Sequence, residues 1–179
     1  MIEVLVTITI LIIGLWGMME MQSRLHKSEI ESYQRTQALM LLNDMANKIM
    51  SNRGNAGDYV TTGYLGVDAT CPTATTSLQL VDSGQWCEAL KGAAETSGST
   101  DVGAMIGGRG CVEEVLADRQ YMVTVVWQGL TPINSAIRTD VTCGAGLYNL
   151  PAGSDCAANA DSCRRFVTTM VGIANLEDL

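Results

Sequence analysis

Six cysteines are the residues whose number and spacing point most clearly to chemistry. They stand at positions 71, 87, 111, 143, 156 and 163, and no two of them are spaced as C-x-x-C. Because His26 is the single histidine, a zinc site would need thiolates gathered from scattered loops. Disulfides in an oxidising compartment explain this pattern better than the alternative, six reduced thiols buried in a cytosolic protein.

The six cysteines allow fifteen disulfide connectivities, and the order of the predicted elements favours one pair first. Cys111 begins the first strand of a predicted hairpin, so we expect it to lie opposite residues near Trp127–Gly129. The chain leaving that point runs towards Cys143, which favours the pair Cys111–Cys143. The two remaining pairs follow from proximity along the chain and are Cys71–Cys87 and Cys156–Cys163.

The other reactive side chains form no catalytic constellation. Glu113 and Glu114 are adjacent on a predicted strand, so they point to opposite faces and cannot act as an acid–base pair. The run Ile106–Gly110 lacks the Lys-Ser/Thr of a phosphate-binding loop and precedes a strand, which favours a plain backbone turn. His26 has no nucleophile near it and is interpreted as a solvated or subunit-contacting residue. We therefore expect no enzyme activity, no metal and no cofactor.

The net charge of −8 disfavours direct binding to nucleic acid, because phosphates require clusters of Lys and Arg. The 11 basic residues are dispersed, and the pair Arg164-Arg165 is better explained by salt bridges or by protection of a strand edge. Residues 1–53 carry five acidic and five basic side chains, so the whole negative charge lies after them. The sequence thus consists of an N-terminal segment with no net charge, followed by an acidic, water-facing C-terminal part.

The front of the chain is strongly apolar. Residues 2–19 read IEVLVTITILIIGLWGMM and contain one charged side chain, Glu3. As a helix this segment would measure about 27 Å, close to the hydrocarbon thickness of a bilayer. A cleavable secretory signal fits less well, since no Lys or Arg precedes Arg24 and no small-residue cleavage site follows. A plain membrane anchor leaves Glu3 unexplained, because a carboxylate in an apolar helix is costly and usually functional.

The helical pattern continues beyond the apolar segment. No proline occurs before Pro72, and Gly54 is a natural place for a helix to stop. We therefore predict one helix of about 50 residues, apolar at first and then amphipathic. Its apolar side chains recur three or four residues apart and are Met18, Met21, Leu25, Ala38, Leu42, Met45 and Ile49.

A short second helix is predicted in the part of the chain that follows. Residues 54–70 are rich in Gly, Thr and Ala and read as a connecting loop. Asp82 and Ser83 are candidate caps for a helix over about 84–95. The apolar face of that helix would consist of Trp86, Leu90 and Ala94.

The remaining residues predict a small antiparallel sheet. Cys111–Leu116 and Tyr121–Gln128 read as a hairpin whose turn is residues 117–120, and a third strand is expected over about Arg165–Ile173. The weak alternation in Ile137–Val141 fits either a strand or a loop. The predicted fold class is α+β, a long N-terminal helix packed on a small antiparallel sheet. In the second hairpin strand, one face would carry Tyr121, Val123, Val125 and Trp127.

Several segments, taken in order, resemble one protein family. Met1-Ile2-Glu3 matches the last three positions of the type IV pilin motif, a hydrophobic residue, Ile and Glu. Later segments are similar to the PilV group of minor pilins, and with gaps the similarity spans residues 1–176. These segments are Gln37–Leu39, Asn43–Arg53, Gly107–Cys111, Tyr121–Gly129 and Arg164–Thr168.

The resemblance implies the type IV pilin fold in three parts. Residues 1–19 would be the transmembrane or filament-core half of the helix, 20–53 its amphipathic half, and 54–179 a periplasmic head. The pair Cys111–Cys143 also agrees with this family. The basic leader, the Gly and the first two mature residues of the motif do not appear before Met1. We therefore expect them upstream, with cleavage by a prepilin peptidase and methylation of the new N-terminus.

The function implied is that of a minor pilin in type IV pilus assembly, within a priming or tip complex. Glu3 would serve subunit assembly by pairing with the N-terminal amine of a neighbouring subunit. The implied partners are other minor pilins and the major pilin, with a tip adhesin as a further candidate. The protein would lie in the inner membrane with a periplasmic head, and then in the extracellular pilus near its tip.

Two alternatives stay open at the level of sequence. A type II secretion pseudopilin would use the same helix in a short periplasmic filament. A membrane-anchored periplasmic binding or enzyme domain would instead have a separable anchor and a pocket with convergent polar groups.

Overall fold

The structure is a computed structural model that describes residues 2–93, 96–97, 100–101, 103, 105–133, 140–149 and 151–174. The chain divides into two compact units, Met1–Tyr33 and Gln34–Leu179. This division falls within the segment 20–53 that the sequence groups as one amphipathic half. The reason is that the buried residues of the long helix begin at Gln34.

The long helix, α1, spans Ile2–Ser51 and confirms the predicted helix of about 50 residues. Gly54 does not end it, because α1 stops earlier and the chain continues as a 3₁₀ helix over Arg53–Tyr59. The expected loop at 54–70 therefore contains this 3₁₀ helix and a two-residue strand, β1, at Leu65–Gly66.

In the first unit, almost every side chain of α1 is exposed. The recurring apolar residues of this unit are each more than half exposed; they are Met18, Met21 and Leu25. By length and composition α1 is long and apolar enough to cross a membrane, with an 18-residue window of mean hydropathy 2.2 and none of it buried. This unit is compatible with membrane anchoring.

In the second unit, the last turns of α1 pack on a sheet. The later part of the predicted set of recurring apolar residues forms a buried stripe, since Ala38, Leu42, Met45 and Ile49 are all buried. They belong to one core with Trp86 and Leu90 of a second helix, α2, at Leu78–Lys91. The face predicted for the second hairpin strand, β5 at Gln120–Gln128, is also confirmed, because its four residues are buried in the same core: Tyr121, Val123, Val125 and Trp127.

The main sheet is antiparallel with the strand order β1-β4-β5-β6. The predicted hairpin and third strand are confirmed, with ends shifted by one or two residues. The turn is shorter than predicted because Gln120 already pairs with Leu116, and Asp118 adopts a positive φ of 56°. The strands are β4 at Arg109–Leu116, β5 at Gln120–Gln128 and β6 at Arg164–Gly172.

Helix α2 begins earlier than predicted, and the predicted caps are wrong. It spans Leu78–Lys91, with Ser77 at its N-cap accepting a hydrogen bond from the Leu80 amide at 3.3 Å. Asp82 and Ser83 instead lie buried within the helix. Gly92 ends the helix in the left-handed conformation, with φ of 95°. Ala94, expected on its apolar face, lies outside the described residues.

Three short elements complete the described part of the second unit. The sequence did not decide between strand and loop for residues 137–141. Residues 137–139 lie outside the described residues, and Asp140 and Val141 are not in a strand. The second unit is thus a helix packed on a four-stranded antiparallel sheet, an α+β arrangement consistent with the type IV pilin fold. The short elements are β2 at Thr96–Ser97, β3 at Thr100–Asp101 and α3 at Asp155–Ala158.

Candidate functional site

Glu3 lies in the first turn of α1 and is exposed. A carboxylate at this end of a helix is favoured by the helix dipole. Among the residues that the structure describes, none forms a hydrogen bond or ion pair with it. Glu3 is the only charged side chain between residues 2 and 19, so this end of the helix presents one carboxylate in an otherwise apolar surface.

The nearby threonines satisfy their hydroxyls within the helix. Thr7 donates to the Val4 carbonyl at 2.9 Å, and Thr9 donates to the Leu5 carbonyl at 2.7 Å. Back-bonding of this kind lets a hydroxyl sit on an apolar helix without an external partner. The threonine hydroxyls thus have partners within the helix, whereas the Glu3 carboxylate has none among the described residues. A partner on another molecule would therefore stabilise this carboxylate.

Charged residues on α1 after the apolar segment pair along the helix. Glu20 accepts a hydrogen bond from Arg24 at 2.6 Å, and His26 lies 3.8 Å from Glu29. The His26 side chain is 77% exposed in this single chain, which is compatible with both predicted positions, a solvated face and a subunit contact. Exposed pairs of this kind contribute about 0–1 kcal/mol each, so they mark a water-facing surface rather than a site.

The structure pairs all six cysteines in the three combinations favoured from the sequence. Cys71 is bonded to Cys87, Cys111 to Cys143 and Cys156 to Cys163. The register behind the first prediction was wrong, because Cys111 lies opposite Thr124 rather than near Trp127–Gly129. The pair forms because the loop around Cys143 folds over this face of the sheet, in a cluster with Val126 and Tyr148.

Two buried arginines hold that loop in place. Arg109 stacks between the rings of Tyr64 and Tyr148, with its guanidinium carbon 5.2 Å from each ring centre, and pairs with Asp68. Arg164 donates to the carbonyls of Val141 and Cys143 at 2.9 and 3.0 Å. Sequence reasoning missed Arg109 and Tyr148, because nothing in their spacing indicates a contact.

The expected salt-bridging role of the pair Arg164-Arg165 holds for Arg164. Its Nε lies 3.8 Å from Asp161 Oδ2, and both side chains are largely buried. Arg165 donates to the carbonyls of Thr131 and Ser162, at 2.6 and 3.2 Å. Both arginines therefore fix loops to the start of β6 rather than present a basic surface.

A buried tyrosine links the 3₁₀ helix to α2. The Tyr59 hydroxyl donates to Asp82 at 2.6 Å and accepts from Asn52 at 3.2 Å. Burial, with added contributions from Asp82, raises the pKa of Tyr59 to about 12. Burial likewise raises the pKa of Tyr148 to about 12, although the neighbouring Arg109 opposes the shift. Both groups are structural donors at neutral pH.

The described residues contain no catalytic or metal-binding cluster. Glu113 and Glu114 point to opposite faces of β4, as predicted, and accept hydrogen bonds from Thr142 and the Asp118 amide. No group of three or more His, Cys, Asp or Glu in this part of the chain could hold a metal ion. The turn at 106–107 leads into β4 and not into a helix.

A cavity of about 410 Å³ opens beside the Cys111–Cys143 disulfide. Its lining includes Tyr64 and Glu113, but the Glu113 carboxylate already accepts the Thr142 hydroxyl at 2.6 Å. Its described lining residues include no histidine, and its two cysteines are bonded to each other.

Comparison of the chain with models of protein families, with curated proteins and with solved structures finds no match.

Proposed function

We propose that this chain is a minor pilin that takes part in type IV pilus assembly, within a priming or tip complex with other minor pilins. One observation carries the proposal. A single helix, α1, has an exposed apolar segment bearing Glu3 at one end and a stripe buried against a sheet at the other. A helix of this kind supplies a membrane-compatible segment in one unit and contributes a packed stripe to the folded head in the other.

The proposed mechanism is exchange of lipid for protein around the apolar segment. Before assembly the segment lies in the inner membrane with the head in the periplasm, and during assembly it packs among the helices of other minor pilins and the major pilin. An unpaired carboxylate opposes such packing, because moving a charge from water into an apolar environment is costly. Pairing of Glu3 with the N-terminal amine of a neighbouring subunit removes that cost and sets the axial register.

The three disulfides support the periplasmic placement of the head. Disulfides persist in oxidising compartments, and the bacterial periplasm is one of them. A type II secretion pseudopilin would use the same helix. The segments similar to PilV minor pilins favour the pilus, and a pilus tip adhesin is a further candidate partner. The neighbouring genes distinguish the two assignments, because a minor pilin gene would lie among genes for pilus components and a pseudopilin gene among genes for type II secretion components.

Replacing Glu3 with Ala tests the mechanism. We expect Glu3→Ala to reduce pilus yield and co-purification with the other minor pilins, because the intersubunit ion pair is lost. Membrane insertion should become slightly easier, since a carboxylate leaves an apolar helix. The measurements are sheared-pilus yield and affinity co-purification from cells with matched amounts of each variant.

Glu29→Ala is the matched control, because it removes an exposed carboxylate from the same helix outside the apolar segment. We expect it to leave both readouts unchanged. Normal piliation and co-purification with Glu3→Ala, at normal protein level, would show that Glu3 is an incidental charge and would remove the basis of the proposed mechanism.

A further inference from the structure

The cavity beside the Cys111–Cys143 disulfide lies between two segments that are each fixed to the sheet. On one side, within residues 61–64, the Thr61 amide donates to the Val112 carbonyl at 2.9 Å, and the Thr61 hydroxyl accepts the Val112 amide at 3.1 Å. On the other side, residues 142–147 are tied to β4 by the disulfide. Because both segments are held in place, binding in this cavity would not carry the cost of ordering them.

The charge in the lining of the cavity is negative. Glu113 is the only charged side chain among the described residues that line it. One oxygen of the Glu113 carboxylate accepts the Thr142 hydroxyl at 2.6 Å, and the other has no hydrogen bond or ion pair to the described residues. The net charge of −8 on the whole chain also attracts cations. A carboxylate that lines a cavity with one oxygen unpaired favours a cationic ligand.

Two hydroxyl groups in the same lining add acceptors for hydrogen bonds. The Thr142 hydroxyl gives its proton to Glu113, so its oxygen lone pairs are available to a donor. The Tyr64 hydroxyl has no hydrogen bond to the part of the chain that the structure describes. An alkyl ammonium has three N–H donors, and Glu113, Thr142 and Tyr64 together supply three acceptor oxygens.

The rest of the lining suits the carbon chain that carries an ammonium. It includes the disulfide, Ala145 and Leu147, and Leu147 is 36% exposed. Methylene groups pack on apolar surface of this kind while the charged end stays among polar groups. The volume of about 410 Å³ is within the range of small-ligand sites.

Arg109 does not cancel the preference for a cation. Its guanidinium carbon lies 5.2 Å from the ring centre of Tyr64, but Arg109 is not among the residues that line the cavity. Asp68 pairs with this guanidinium and compensates its charge. The effect of Arg109 on the cavity is therefore to hold the Tyr64 ring in position.

We propose that this cavity is a binding site for a primary alkyl ammonium. Glu113 supplies the opposite charge and accepts one N–H group, while Thr142 and Tyr64 accept the others. The ammonium belongs to a small free amine or to a lysine side chain of another protein, and its chemistry at the cavity is the same in both cases. The site lies in the head, so it does not depend on Glu3 and applies to a minor pilin and a pseudopilin alike.

Titration of the full chain with n-butylammonium chloride tests the site. Ligand-observed NMR in an uncharged detergent at constant ionic strength should show saturable binding. We expect Glu113→Gln to weaken this binding about tenfold or more, because the charge is lost while the amide oxygen can still accept the Thr142 hydroxyl. Tyr64→Phe should weaken it less, since one acceptor is lost and the ring beside Arg109 remains. Unchanged thermal midpoints would show that both variants are folded.

Glu114→Gln is the matched control, because it removes the same charge from the adjacent residue, on the opposite face of β4. We expect it to leave the affinity unchanged. Tetramethylammonium has the same charge but no N–H donor, so it should bind about tenfold more weakly or worse. The methylamide of Nα-acetyl-lysine distinguishes the two sources of the ammonium. Tighter binding than n-butylammonium would identify a lysine side chain, and equal or weaker binding would identify a free amine.

Three results would overturn the proposal. The first is the absence of saturable binding by either amine. The second is an affinity that Glu113→Gln leaves unchanged, or that Glu114→Gln lowers to the same extent, since attraction by the net charge alone would then explain it. The third is binding of tetramethylammonium as tight as that of n-butylammonium, because hydrogen bonds from the ammonium would then not define the site.

Discussion

Gln34 is a buried polar side chain at the position where α1 enters the core of the second unit. It is 0% exposed, and neither atom of its amide group has a hydrogen-bond partner among the described residues. Leaving a buried polar group unpaired costs about 1–3 kcal/mol. Gln34 therefore destabilises the folded head, at the turn of α1 where the buried stripe begins.

We predict that Gln34→Met raises the stability of the folded head by about 1 kcal/mol, because an unbranched apolar side chain of similar size fills the same space without an unpaired amide. The measurement is the thermal midpoint of the full chain in detergent. Gln34→Glu is the comparison, since it places an unpaired carboxylate in the same position and should lower the midpoint. A lower midpoint for Gln34→Met as well would show that the amide contributes a favourable interaction.

Sequence reasoning found the apolar part of this stripe but not its polar start. Ala38, Leu42, Met45 and Ile49 were identified by their spacing, and all are buried. Gln34 lies one helical turn before Ala38, so the same periodicity extends to it. A polar side chain is normally assigned to the solvent face, and only the packing of the head reverses that assignment.

At the scale of elements, α1, α2 and the sheet meet at Trp86. Its indole N–H donates to the Leu41 carbonyl of α1 at 2.8 Å, and the ring is 0% exposed. A Cβ at Gly110 of β4 would overlap this ring. The sheet thus approaches α2 closely because position 110 has no side chain.

We predict that Gly110→Ala destabilises the head by about 1–3 kcal/mol, the usual cost of adding a methyl group to a filled core. Gly172→Ala, on β6 of the same sheet, is the matched control, because a Cβ there meets nothing within 4 Å. Its stability should stay within about 1 kcal/mol of the wild type. Chemical denaturation followed by tryptophan fluorescence measures both variants. Equal stability of the two would mean that Trp86 can move, and that its position does not define the packing of α2.

The elements themselves were largely predictable from the sequence, and their ends were less so. Alternation in Tyr121–Gln128 predicted β5 and the face that packs in the core with α1, although Thr124 and Val126 on the other face are buried as well. The start of α2 was missed because Asp82 resembles a cap, whereas its carboxylate accepts the Tyr59 hydroxyl and Ser77 caps the helix. The register of Cys111 was missed because β4 begins at Arg109 and the bulge between Glu114 and Leu116 shifts the pairing.

At the scale of the whole molecule, burial in the second unit raises the pKa of three tyrosines, Tyr59, Tyr121 and Tyr148, and the shift is large for Tyr59 and Tyr148. The pKa values of Tyr59 and Tyr148 are both raised to about 12 from the ordinary value of 10.0, chiefly by burial. In the unfolded chain both tyrosines return to the ordinary value. Between these two pKa values the unfolded state releases protons that the folded state retains, so the folded state loses stability as the pH rises.

We predict that the unfolding free energy of the head contains a tyrosine contribution that is fully present below about pH 10 and falls by about 1 kcal/mol per tyrosine between about pH 10 and pH 11. Tyr59→Phe should be less stable than the wild type at neutral pH, because Asp82 loses its donor. Its stability should also fall less steeply above about pH 10, because Tyr59 no longer titrates. Urea denaturation at a series of pH values measures both effects, with short incubations that preserve the disulfides. If the wild type and Tyr59→Phe lose stability with the same slope above pH 10, then Tyr59 does not retain its proton in the folded head, and the buried hydrogen bond to Asp82 is not maintained in solution.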